Sequence, residues 1–232
     1  MNQKFLKSLL IFVAVLSFVS ASAQEKWTGI DRYAADNEKL MAAPADTARI
    51  VLLGNSITDF WPTRSPEFFK RHPQLVGRGI SGQTSHQMLV RFREDVVNLH
   101  PKAVVINCGT NDIAENHKIP YSEANTMGNI MSMVEIAKAN GIKVYLASVL
   151  PSKCMYWVPE KTNIADKVAS LNARIKAYAQ QQGITYIDYY SSMVYGTERE
   201  LNPAYTKDGV HPTPDGYRLG MEPVLQSALH LE

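Results

Sequence analysis

From residue 50 onward, short strand-like runs, the first of them unbroken and apolar, alternate with stretches whose apolar residues recur every three or four positions. The runs are Ile50–Leu53, Leu75–Ile80, Ala103–Asn107, Ile142–Leu150 and Ile184–Ile187. Ile50–Leu53 and Ala103–Asn107 are continuous and apolar, which reads as strands buried on both faces, and the other three are read as short strands. Between them, Gln83–Leu99 sets Met88, Leu89, Phe92 and Val96 on one helical face. Tyr121–Asn140 and Asn163–Gln182 are predicted helices closed by Gly141 and Gly183. Strand and helix alternating at this rhythm imply right-handed βαβ units. The predicted architecture is α/β, a three-layer α/β/α sandwich with a five-stranded parallel sheet. Glu25–Ala43 is predicted as a leading amphipathic helix, Thr58–Lys70 as helical, Ser191–Val210 as loop and Thr213–Leu229 as the last helix.

The first residues follow a different logic. Lys4 and Lys7 precede an apolar run, Leu9–Val19, and Ala21-Ser22-Ala23 supplies small residues for cleavage. Residues 1–23 therefore read as a secretory signal peptide, too short to span a membrane. No cysteine follows the cleavage site, so no lipid anchor is expected there. Residues 24–232 are read as a single domain, exported to the periplasm or the medium. Removing 1–23 takes away two lysines and no acids, so the formal charge of +2 becomes zero. A neutral chain without basic runs carries no footprint for nucleic acid, and no segment suggests stable membrane insertion after cleavage. The two cysteines, Cys108 and Cys154, are too few for a disulfide scaffold, and a bridge between them is left open. Oligomeric state is not legible.

Three loops fall at the carboxyl ends of the first three predicted strands, where open α/β sheets hold ligands. They carry Ser56, Gly82 and Asn111. Singly these read as a helix cap, a turn and a cap or turn residue. Together they resemble a nucleophile with oxyanion donors: the Ser56 and Gly82 N–H groups and the Asn111 amide. A base is offered by Asp208-Gly209-Val210-His211-Pro212, where a carboxylate three residues before a histidine can hold one ring nitrogen while the other faces a nucleophile. His72, His100 and His230 are expected to be solvated, and His86 and His117 to lie near the second and third loops. Trp61, Tyr156 and Trp157 follow strand ends and are candidates to face a substrate, with loop packing the competing reading.

Gly54-Asn55-Ser56-Ile57-Thr58, Gly79-Ile80-Ser81-Gly82, Gly109-Thr110-Asn111-Asp112 and Asp208-Gly209-Val210-His211-Pro212 resemble the four sequence blocks of the SGNH hydrolases, the GDSL-type esterases and lipases, in order and at similar distances. The resemblance runs from about Ile50 to the last helix, and nearest to the acetylhydrolase-like branch. It implies a flavodoxin-like SGNH hydrolase fold, Ser56 as nucleophile, His211 as general base and Asp208 as the residue orienting it. It further implies Ser56, Gly82 and Asn111 as the oxyanion hole. No metal or organic cofactor is implied. Asn55 departs from the usual Asp of the first block.

The pattern excludes neighbours. An α/β-hydrolase elbow would read Gly-x-Ser-x-Gly, whereas Thr58 stands two after Ser56. There is no P-loop, dinucleotide fingerprint or zinc-ligand spacing, and Asp208, His211 and Asp215 lack a fourth ligand. The implied activity is hydrolysis of short acyl, especially O-acetyl, esters on small molecules or glycans. An acyltransferase, a lysophospholipase-type lipid esterase and a non-catalytic glycan-binding protein are the alternatives.

Overall fold

The residues of each central strand divide between two cores. Val51 and Leu53, Val104 and Ile106, and Val144 and Leu146 face one layer of helices. Ile50 and Leu52, Ala103 and Val105, and Tyr145 and Ala147 face the other. This period-two split, apolar on both sides, is what a doubly covered sheet requires. The structure is a computed structural model that describes residues 27–42 and 48–231. The leader read at 1–23 lies outside the described residues.

The strands are β1 (Ile50–Gly54), β2 (Leu75–Gly79), β3 (Ala103–Ile106), β4 (Lys143–Ala147) and β5 (Thr185–Ile187). All neighbours pair in parallel, in the order β2-β1-β3-β4-β5, with Val51 flanked by Val76 and Val104. The helices, in chain order, are α1 (Ala34–Ala42), α2 (Ser56–Arg64), α3 (Pro66–Arg71), α4 (Ser85–Asp95), α5 (Thr110–Ile113), α6 (Glu123–Ala139), α7 (Ile164–Gln181), α8 (Tyr189–Met193) and α9 (Glu222–Leu229). α4, α6 and α7 bury Phe92, Met133 and Leu171 on one face of the sheet. α2, α3 and α9 bury Trp61, Phe68 and Leu225 on the other. Each such side chain contributes on the order of 1.5–3 kcal/mol relative to exposure. The result is the expected three-layer α/β/α sandwich around a five-stranded parallel sheet.

This order has a consequence for the site. The chain leaves β1 toward β2 on one side, then returns past β1 to β3 on the other. The loops after β1 and β3 thus diverge and open a crevice at the carboxyl end of the sheet.

Elsewhere the element boundaries differ from expectation. The leading helix is interrupted at Gly29, whose φ of +62° breaks it before α1 begins at Ala34. The predicted helix over 58–70 begins two residues early, at Ser56, and divides at Ser65, where Pro66 opens α3. The stretch 191–210 is not plain loop. It holds the end of α8 and a small hairpin of β6 (Val194–Tyr195) and β7 (Glu200–Leu201), whose strands are too short to show a period. The final helix begins as a wide π-type segment, Gly216–Met221, before α9. Pro223 lacks the N–H that an unbroken α-helix would use there. Cys108 is buried and Cys154 exposed, and both are free thiols. His100 and His230 are exposed as expected, but His72 is 3% exposed and packs its ring 4.8 Å from that of Phe68.

Candidate active site

Gly54 ends β1, and its missing Cβ matters because one would lie 2.0 Å from Thr58 Oγ1 of the helix that starts immediately after it. Asn55, fully buried, is the cap of α2: its Oδ1 accepts from Ile57 N (3.1 Å), and its carbonyl from Thr58 N (3.1 Å) and Asp59 N (2.9 Å). The cap thus engages three of the first-turn donors and leaves the Ser56 N–H as the one outside its reach. Ser56 is therefore not the cap but the first helical residue. The Asn55 acceptor in use is an oxygen that Asp would also supply, so the departure from the usual residue keeps the cap bond. Its Nδ2 is left without a partner among the described residues.

Ser56 Oγ lies 2.9 Å from His211 Nε2, and His211 Nδ1 lies 2.8 Å from Asp208 Oδ2. A carboxylate can only accept, so Nδ1 carries the ring proton and Nε2 is free to accept from the serine hydroxyl. The turn that makes this possible is local. Asp208 Oδ1 accepts from the backbone N–H of Val210 (2.9 Å) and of His211 (2.8 Å). The Thr206 hydroxyl donates to the His211 carbonyl (2.9 Å) and accepts from Gly209 N (3.1 Å). Partial burial of Asp208 acts to raise its pKa, but the His211 backbone N–H, the imidazole and the Val210 N–H outweigh it and hold the carboxyl below its usual range. The histidine segment is clamped onto α2 from both sides: Arg64 donates to the Pro212 carbonyl (2.6 Å), and Tyr217 OH to the Ile57 carbonyl (2.6 Å).

Ser56, Gly82, Asn111 and His211 line one cleft of about 260 Å³, together with Phe60, Ser81, Asn116, Tyr156 and Trp157. Gly82 takes φ +80°, a left-handed conformation that a side chain would strain. Asn111 is 3% exposed and donates one amide hydrogen to the Gln83 carbonyl (2.9 Å), which leaves the second for the cleft. The structure therefore brings together Ser56, Gly82, Asn111 and the Asp208–His211 turn from four sequence-distant segments. Trp157 also stands in the wall, its ring 6.1 Å from that of His211, and Tyr156 beside it is 62% exposed.

Trp61 does not. It is 2% exposed and stacks between Phe68 (5.9 Å) and Tyr217 (5.3 Å) in the core behind α2. One residue earlier on the helix, Phe60 takes the cleft position, 5.4 Å from the His211 ring. Phe60, Ser81 and Asn116 were not singled out from residue type, although Ser81 stands inside the second sequence block and Phe60 lies four residues after Ser56. His86 and His117 line no part of the cleft; His117 is exposed and lies against Gln87 (3.1 Å), and His86 borders a separate small cavity. Asp215 turns away to Arg218 (2.8 Å).

This geometry finds company among known proteins. Residues 52–219 match the model of the GDSL-like Lipase/Acylhydrolase family. A GDSL-like lipase from Bacteroides thetaiotaomicron VPI-5482 is 50% identical, with 88% of this chain and 98% of that chain covered and a TM-score of 0.83. A proposed acylhydrolase from Bacteroides fragilis NCTC 9343 is 54% identical, covering 88% and 97%, with a TM-score of 0.84. An acetylxylan esterase from Geobacillus stearothermophilus shares the fold at 17% identity and a TM-score of 0.66, covering 82% of this chain and 98% of that one. The uncharacterised lipoprotein YqeF of Bacillus subtilis (strain 168) is 33% identical over 79 residues, so that match spans only about a third of its length (32%) and 33% of this chain. With a family match running from β1 to the last helical segment, the chain belongs to the GDSL-like lipase/acylhydrolase family, on an SGNH hydrolase fold.

Proposed function

We propose that the protein is an exported serine esterase that hydrolyses short acyl esters, O-acetyl groups on carbohydrates first among them, through an acyl-serine intermediate. The observation that carries this reading is the unbroken row Ser56 Oγ–His211 Nε2 and His211 Nδ1–Asp208 Oδ2. His211 takes the Ser56 proton as Oγ attacks the ester carbonyl carbon, and Asp208 steadies the imidazolium that forms. The carbonyl oxygen becomes an oxyanion facing the Ser56 N–H at the start of α2, the Gly82 N–H and the Asn111 amide. Collapse expels the alcohol, which takes its proton from His211. A water deprotonated by His211 then cleaves the acyl-serine and returns the enzyme to its starting state.

The substrate class rests on the cleft. It is small and open, suited to a short acyl group. Its rim carries Phe60, Tyr156 and Trp157, flat apolar surfaces of the kind that pack against sugar rings. The shared fold with an acetylxylan esterase agrees with this, and export agrees with the leader-like residues 1–23 and with a lipoprotein relative. Among the described residues no helix is long and apolar enough to cross a membrane.

The test is turnover of a p-nitrophenyl ester series, acetate to long chains, by the mature protein and by Ser56→Ala. The expected result is turnover fastest on acetate, falling with chain length, and reduced by about 10⁴-fold or more in Ser56→Ala. Turnover that survives Ser56→Ala would remove the assignment; a folded protein inert on every ester would favour a glycan-binding role.

A further inference from the structure

Gly82 is an odd choice for a rigid oxyanion donor. At φ +80° without a side chain, its own backbone supplies little restraint, and an added Cβ would meet nothing nearer than Asn116 Nδ2 at 3.9 Å. An oxyanion hole stabilises charge only if its donors are already in place, since reorganisation during the reaction forfeits most of the gain. The neighbours of Gly82 are held: Asp59 Oδ2 accepts from Ser81 N (3.1 Å) and Ser81 Oγ (2.7 Å), and the Gln83 carbonyl accepts from Asn111 (2.9 Å). Gly82 itself is held at its carbonyl by Asn116 Nδ2 (3.0 Å). On its other side Asn116 Oδ1 accepts from the indole N–H of Trp157 (2.9 Å).

The two partners fix the amide without ambiguity, because an indole N–H only donates and a carbonyl only accepts. The turn that delivers Asn116 is itself costly: Glu115, His117 and Lys118 all take positive φ, +57°, +59° and +60°. Such backbone persists where surrounding contacts over-determine it. Here Glu115 pairs with Lys161, anchoring the turn to the segment beyond Trp157.

We infer that Asn116 is a positioning residue, joining the Trp157 wall to the Gly82 carbonyl and so holding the loop that presents the Gly82 N–H to the ester oxygen. It touches no reacting atom in this role. The inference rests on the hydrolytic reading of Ser56, and it adds that the aromatic wall and the oxyanion loop move as one unit.

Asn116→Asp isolates the effect. It keeps an acceptor for the indole and replaces the donor to the Gly82 carbonyl by an oxygen. With p-nitrophenyl acetate, kcat should fall about 10- to 100-fold, less than for removal of a direct donor, with KM within about twofold of wild type. Affinity for an alkylboronic acid, which forms a tetrahedral adduct on Ser56, should fall in parallel. Trp157→Phe, which keeps the ring and loses the N–H, should lower kcat by a smaller factor, and the double variant should be no slower than Asn116→Asp alone. Asn116→Ala, uncharged, gives the same readout if the carboxylate unfolds the turn. A wild-type kcat in both Asn116 variants, a rise in KM alone, or additive losses in the double variant would overturn the inference. If wild type itself turns over no ester, the reading of Ser56 fails instead, and the inference falls with it.

Discussion

Trp61 and Phe60 show how fine the division between core and site is at the scale of a residue. One step along a helix turns a side chain by about 100°, enough to carry it from the cleft wall to the buried face. An aromatic residue at this point of the chain was legible; which one lines the cleft was not, because a nine-residue helix with Pro62 inside it shows no clean period. The two positions should separate by experiment. Trp61→Ala should cost about 3–5 kcal/mol of stability, read as a lower urea midpoint, with little change in KM. Phe60→Ala should leave the midpoint nearly unchanged and raise KM for aryl and sugar esters. The reverse pattern would mean that the two rings had been exchanged. Ser56, Asp208 and His211 were legible for the opposite reason. Their chemistry is restrictive, and Asp208 and His211 sit close enough in sequence for one turn to join them.

At the scale of elements, α4 does more than cover the sheet. Arg91, fully buried, donates to Asp95 Oδ2 (2.8 Å), Gln83 Oε1 (2.6 Å) and the Gly54 carbonyl (3.0 Å). It ties the helix to the end of β1 and to the loop after β2, while Asp95 receives a second donor from Asn37 (2.8 Å). Arg91→Met should destabilise by about 3–5 kcal/mol, because it leaves the Asp95 carboxylate buried without its cation. Arg91→Met with Asp95→Leu should be more stable than Arg91→Met alone, and equilibrium urea unfolding of the three proteins decides it. The strands β1 and β3 were the most legible because burial on both faces forces short continuous apolar runs. The hairpin β6–β7 was not legible, since two-residue strands have no period to read. It is attached by Leu201, buried in the core with Met193, and Lys153 pairs with Glu198 and Glu200 on its outer surface.

Across the whole molecule, stability and pH are linked through the site. Asp208 titrates lower in the folded protein than in an unfolded chain. Its charged form therefore stabilises the fold fully above the ordinary aspartate range, about pH 4, and this contribution is lost as pH falls through the lower folded value. The Tm of wild type should exceed that of Asp208→Asn near neutral pH, and the gap should narrow steadily on acidification. A gap that held constant in calorimetric scans down to about pH 3 would contradict the depressed ionisation.

The contact between Ser56 and His211 joins residues 155 positions apart. Few contacts in the chain ask for so much of it to be in place at once: β1 must have found both neighbours, and the segment around Tyr217 must have closed over α2. Contacts of such long sequence separation form late relative to local ones. Recovery of ester turnover after dilution from urea should thus trail the return of helical circular dichroism, making the enzyme its own reporter of when the last piece of the chain comes home.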